Sequence, residues 1–167
     1  MVCHNRPMTK ALALALAAAL LLAGCRSRDV RTDLEIVDVR TGWQDLGTVD
    51  GEKIKIIPAI SFRLKNISAE EISGVQVNAV FREVEKDAII DEHFVRAIPS
   101  ERALAAGATS EPIVLRSRFG YTGTEPRPRL LEHKQFIDNR VTILGKHGRN
   151  NWSRMGEYTI ERVGMNK

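Results

Sequence analysis

Residues 53–65 constrain the fold of this chain more than any other stretch. Ile54, Ile56, Pro58, Ile60, Phe62 and Leu64 share one parity, and Lys53, Lys55, Ser61, Arg63 and Lys65 share the other. Period-two alternation over a dozen residues specifies a strand with one buried and one wet face. Pro58 supplies no ladder donor, so it predicts an edge position or a break into two strands.

The flanking chain carries the same signature. Residues 34–41 read as a strand whose apolar parity slips between Ile36 and Val37, as a β-bulge or a two-sided strand produces. Asp50-Gly51 ahead of the main strand is a hairpin signal, because both residues tolerate positive φ. Val75, Val77, Ala79 and Phe81 alternate against Gln76, Asn78 and Arg82 in a second strand, and residues 88–95 form its hairpin partner after a turn at Lys86-Asp87. A connection over 99–107, with one helical turn at 101–106 ended by Gly107, leads to a strand over 109–118. Residues 119–129 hold Gly120, Gly123, Pro126 and Pro128 and read as loop. Pro128 then opens a short helix through Asn139 on a thin apolar stripe. Strands over 140–146 and 158–163 follow, joined by a hairpin over 148–153 with Trp152 folded back on it. Several short strands with regular turn signals and little helix predict a β-sandwich.

The start of the chain is of another kind. Met8-Thr9-Lys10 precedes an Ala/Leu run that ends in Leu22-Ala23-Gly24-Cys25. A short positive region, an apolar core and small residues before a cut are the layout of a secretory signal. The apolar run is shorter than the ~20 residues that a spanning helix needs. The last four residues resemble the lipobox of bacterial lipoproteins. That resemblance implies a signal peptide over 1–24, cleavage before Cys25, and acylation of Cys25, with three acyl chains holding the protein on the membrane; stable anchoring takes more than one. Arg26 stands where an aspartate commonly retains such lipoproteins at the inner membrane, so the resemblance implies the outer membrane, in the leaflet facing the periplasm. Cys3 would be lost with the leader, which leaves a single, lipidated cysteine, no disulfide and no cysteine metal site. Residues 25–33, with Arg26, Arg28 and Arg31, read as a polar tether whose arginines can lie on anionic headgroups.

Residues 59–82 resemble the centre of small immunoglobulin-like envelope domains of the FxLYD kind. An apolar strand ends in Lys65-Asn66, a polar turn follows, and Val75 to Phe81 supply the pattern Val-x-Val-x-Ala-x-Phe. The name-giving tyrosine motif is missing. The expected architecture over 34–167 is therefore an immunoglobulin-like antiparallel β-sandwich with one short helix.

Chemistry is harder to find. His93, His133 and His147 show no metal-ligand spacing, and no nucleophile elbow or phosphate-cradling loop is present. Glu70-Glu71 and Asp91-Glu92 are neighbours that point to opposite faces of a strand, and they read as solvated edges. No enzyme, cofactor or metal is expected. Without the leader the charge falls from +4 to +2, so no nucleic-acid partner is implied. The distribution says more: residues 116–154 hold nine basic and three acidic residues, net +6. Arg116, Arg118, Arg127, Arg129, Arg149 and Arg154 are interleaved with Phe119, Tyr121 and Trp152. If the 119–129 loop lay near the 146–154 hairpin, these residues would form one cationic, aromatic patch for carboxylates or phosphates. The sequence thus predicts a membrane-anchored binding or scaffold module for an envelope protein complex. The alternative is a direct binder of an anionic glycan or lipid head through residues 116–154.

Overall fold

A computed structural model describes residues 28–134 and 136–165. The leader, the lipobox and Cys25 lie outside the described residues.

The alternating stretches become two packed sheets. The first contains β1 (Leu34–Val49), β2 (Lys53–Asn66), β5 (Ile113–Arg116), β6 (Tyr121–Gly123) and β9 (Gly164–Met165), in the order β5-β2-β1-β9 with β6 also on β2. The second contains β3 (Val75–Glu83), β4 (Ile89–Ile98), β7 (Asn139–His147) and β8 (Ser153–Thr159), in the order β4-β3-β7-β8. All pairs are antiparallel except β1 with β9. This is the expected mainly-β sandwich, with two short helices among the described residues: α1 (Val30–Asp33) and α2 (Arg127–Glu132).

The inner faces follow the sequence parity. Ile56, Ile60, Phe62 and Leu64 of β2 meet Val75, Val77, Ala79 and Phe81 of β3 and Val141 and Ile143 of β7 in one core, with each of these side chains fully buried. Each large side chain so buried contributes roughly 1.5–3 kcal/mol. The β1–β2 turn has Asp50 at φ 51° and Gly51 at φ 83°, as the Asp-Gly signal requires. The phase slip in β1 is a register shift between Val37 and Arg40, with Asp38 at φ 54°. A second shift between Asp45 and Thr48 carries β1 on to Val49, past its expected end at Thr41.

Pro58 neither breaks β2 nor places it at an edge. β2 is central, and the break lies in its neighbour: β6 pairs with Ile54 to Ile56, and β5 pairs with Ala59 to Phe62. Opposite Pro58, the Trp43 N–H turns away to the Val163 carbonyl at 2.8 Å. The donor that proline lacks would therefore point into the gap between β5 and β6. There the Ser117 N–H donates to the Pro58 carbonyl at 3.0 Å. Gly120 passes so close that a Cβ on it would stand 2.0 Å from the Ile56 carbonyl oxygen.

Four more expectations are corrected. Residues 119–129 are not all loop, because β6 forms there against β2. The helix from Pro128 stops at Glu132, with His133 extended; Phe136 instead stacks on Tyr121 and meets Trp43 edge-on, with centroids 4.5 and 4.6 Å apart. The last long strand is Ser153–Thr159 rather than 158–163. No helical turn forms over 101–106; Leu104 bridges to Ile72, and Gly107 sits at φ 75°. The end of the tether is also part of the domain, since α1 buries Val30. Asn66, at the end of β2, is fully buried. Its amide donates to the carbonyls of Glu70, Leu104 and Ala105, and its oxygen accepts from the backbone and hydroxyl of Ser68.

Candidate functional site

The basic segment divides into two groups at opposite ends of the sandwich. Tyr121, in the 119–129 stretch, accepts the Ile137 N–H at 2.6 Å, just before β7 begins. The 146–154 hairpin lies where β7 ends. The nine residues of β7 separate the two, roughly 26 Å from first to last over eight steps of about 3.3 Å. One continuous patch does not form.

The first group is largely committed to architecture. Arg116 donates to the Gln44 side-chain oxygen at 3.2 Å across the outer face of the first sheet. Arg118 clamps Asp91: its guanidinium reaches Oδ1 at 2.7 Å and its backbone N–H reaches Oδ2 at 2.6 Å. Asp91 is therefore a buried anchor between β4 and the chain after β5, and the reading of Asp91-Glu92 as solvated edges holds for Glu92 alone. Hydrogen bonds from Arg118 lower the Asp91 pKa from 3.8 to about 2, against the opposing cost of burial. The Arg127 guanidinium packs over Gly164, where a Cβ would stand 2.9 Å from its central carbon. Arg129 lies within α2, exposed.

The second group is arranged differently. Trp152 folds back over the outer face of the second sheet and meets Phe94 of β4 edge-on, with centroids 6.0 Å apart. The Lys146 ammonium lies 4.8 Å from the Trp152 ring centre. Phe94 and Trp152 remain 50% and 39% exposed, enough to present an aromatic surface. Arg96 and Arg149 are exposed beside them, and neither they nor Lys146 has a carboxylate partner among the described residues. Arg154 is paired with Glu157 at 3.1 Å. Sequence reasoning missed Phe94, Arg96 and Lys146. Their available signal was parity, since Glu92, Phe94 and Arg96 share the wet face of β4.

A broad concavity lies elsewhere. An open groove of about 1700 Å³ runs over the outer face of the first sheet, lined there by Arg40, Gln44, Ser61, Val114 and Arg116. His93 bounds it at the β5 side, where Nδ1 lies 3.0 Å from the Arg116 N–H and 2.8 Å from its carbonyl. Thr159 and Val163 bound the other side. Ile57 and Ala59 are buried beneath, paired with Gln44 and Arg116.

The two tether arginines among the described residues are engaged as well. Arg28 pairs with the Glu70 carboxylate and donates to the Glu71 carbonyl at 2.7 Å, and Arg31 pairs with Asp29 at 2.6 Å. Among the described residues, no cluster of three or more His, Cys, Asp or Glu could hold a metal ion, and no helix is long and apolar enough to cross a membrane.

No protein-family model and no curated protein matches this chain. Solved structures resemble it only distantly, and two of them illustrate this. One is a β-glucuronidase from glycoside hydrolase family 2, at 10% identity and TM-score 0.42; the match covers 74% of this chain and only 11% of that enzyme. The other is an X-ray structure of a Northeast Structural Genomics Consortium target, at 7% identity and TM-score 0.45, covering 79% of this chain and 89% of that one. Likenesses this remote say nothing of activity.

Proposed function

We propose that this chain is a lipid-anchored envelope protein. Lipid on Cys25 holds the sandwich in the periplasm at the outer membrane. The sandwich acts there as a non-enzymatic binding or scaffold module for an envelope protein complex. The observation that carries this reading is Leu22-Ala23-Gly24-Cys25 after an apolar run, only three residues ahead of Arg28. The partner surface is the groove on the first sheet. Its lining mixes polar groups such as Arg40, Gln44 and Ser61 with apolar ones such as Val114 and Val163, which suits a protein segment, and its volume exceeds that of ordinary small-molecule sites.

The test is crosslinking and affinity capture from membranes of the lipidated protein, of Cys25→Ala, and of Arg40→Glu/Val114→Asp. A stoichiometric protein partner that both variants lose supports the reading. Capture that ignores both, or a turnover activity that survives Cys25→Ala, overturns it. A second reading, direct recognition of an anionic envelope ligand, is favoured at the hairpin alone, where Lys146 and Arg149 lack carboxylate partners among the described residues.

A further inference from the structure

The first described residue, Arg28, leaves the domain beside the β7–β8 hairpin. The Asn150 side-chain amide donates to the Arg28 carbonyl at 2.8 Å. Cys25 is three residues upstream, so even a fully extended chain puts it within about 11 Å of that point. A lipid on Cys25 would therefore bring this end of the sandwich, and not the α2 end, to the bilayer surface.

What stands there fits an interface. Trp152 and Phe94 form an exposed aromatic pair, the kind of side chain that settles at headgroup level. Lys146, Arg149 and Arg96 surround the pair with positive charge that anionic headgroups attract. Of the acids at this end, Glu70 is occupied by Arg28, Glu92 by the Asn78 amide at 2.8 Å, and Glu157 by Arg154. Glu71 and Glu101 stay exposed without an ion pair among the described residues. We propose that the hairpin with Phe94 is a membrane-docking face for anionic phospholipid, which the lipid anchor holds against the bilayer. The proposal rests on the lipoprotein reading. It goes further by fixing the orientation of the domain, with the groove on the first sheet left open to the periplasm.

Tethering supplies the high effective concentration that makes a few weak contacts count. Each cation removed should lower the bound fraction's equilibrium constant roughly fivefold at low salt.

Tryptophan fluorescence tests the idea directly, because Trp43 is fully buried and Trp152 is exposed. The lipidated protein is placed in vesicles of phosphatidylglycerol with phosphatidylcholine, and in phosphatidylcholine alone. Quenchers attached near the headgroup should dim Trp152 in the anionic vesicles, less so in neutral ones or at high salt. Arg96→Glu/Arg149→Glu should abolish the difference with the thermal midpoint unchanged, and Trp152→Phe should remove the signal. If Cys25 carries lipid and the protein sits in the vesicles, but Trp152 is equally bright in both kinds, the docking proposal is wrong and the anchor stands. If incorporation of labelled fatty acid shows no lipid on Cys25, both fall.

Discussion

Residues 116–129 and 146–154 carry the same kind of charge, but three of the four arginines in the first are held by the fold, whereas in the second only Arg154 meets a carboxylate among the described residues. In the first stretch Arg118 is spent on Asp91, Arg116 on Gln44, and Arg127 on packing against Gly164. In the second, Lys146 and Arg149 meet no carboxylate among the described residues and stand beside an open aromatic pair. A segment's net charge therefore says nothing of how much charge is available. The neutralising partners come from strands far away in sequence, as Asp91 does for Arg118.

Substitutions sharpen that contrast. Gly120→Ala, at the gap between β5 and β6, should have the largest effect. Its Cβ would collide with the Ile56 carbonyl, and we expect a loss of about 3 kcal/mol or more in urea unfolding. Asp91→Asn comes next, at about 2 kcal/mol, since it weakens the charge-assisted bonds that a buried carboxylate accepts; Arg118→Ala should destabilise in the same direction, because it leaves that carboxylate without its guanidinium. The folded-state pKa of Asp91 lies below its unfolded value. Its contribution is thus fully present above about pH 4 and is lost as pH falls toward 2. Unfolding measured between pH 2 and pH 5 should show that slope in the parent and a flatter one in Asp91→Asn. Arg149→Ala should move stability by less than about 0.5 kcal/mol. Comparable destabilisation by Arg149→Ala and Arg118→Ala would break the comparison. Smallest of all, Arg129→Glu should leave both stability and vesicle docking unchanged, because α2 lies at the far end of the sandwich.

The sandwich was legible because parity is a local property. Alternation in β2 and β3 named the core, Asp50-Gly51 named its own turn, and the slip after Ile36 foretold the bulge at Asp38. The misreadings have one physical origin, since each depends on a neighbour distant in sequence. Pro58 is tolerated inside a sheet because the strand beside it is interrupted there. Tyr121 to Gly123 is a strand only by pairing with β2, and its glycines otherwise read as loop. The helix after Pro128 ends early because Phe136 gains more against Trp43 and Tyr121 than a thin apolar stripe offers. The candidate site was half legible. Arg149 and Trp152 were visible in the sequence, whereas Phe94 and Arg96 join them only through the β4-β3-β7 pairing, and Lys146 through the closing of the β7–β8 hairpin.

The anchor is the claim on which the orientation, the docking face and the open groove all depend. The most direct test is the mass of the N-terminal peptide of the protein purified from its native membranes. The account predicts a chain beginning at Cys25, with diacylglyceryl on the sulfur and an acyl chain on the amino nitrogen. A peptide that retains the residues before Cys25, or one with an unmodified Cys25, would contradict it.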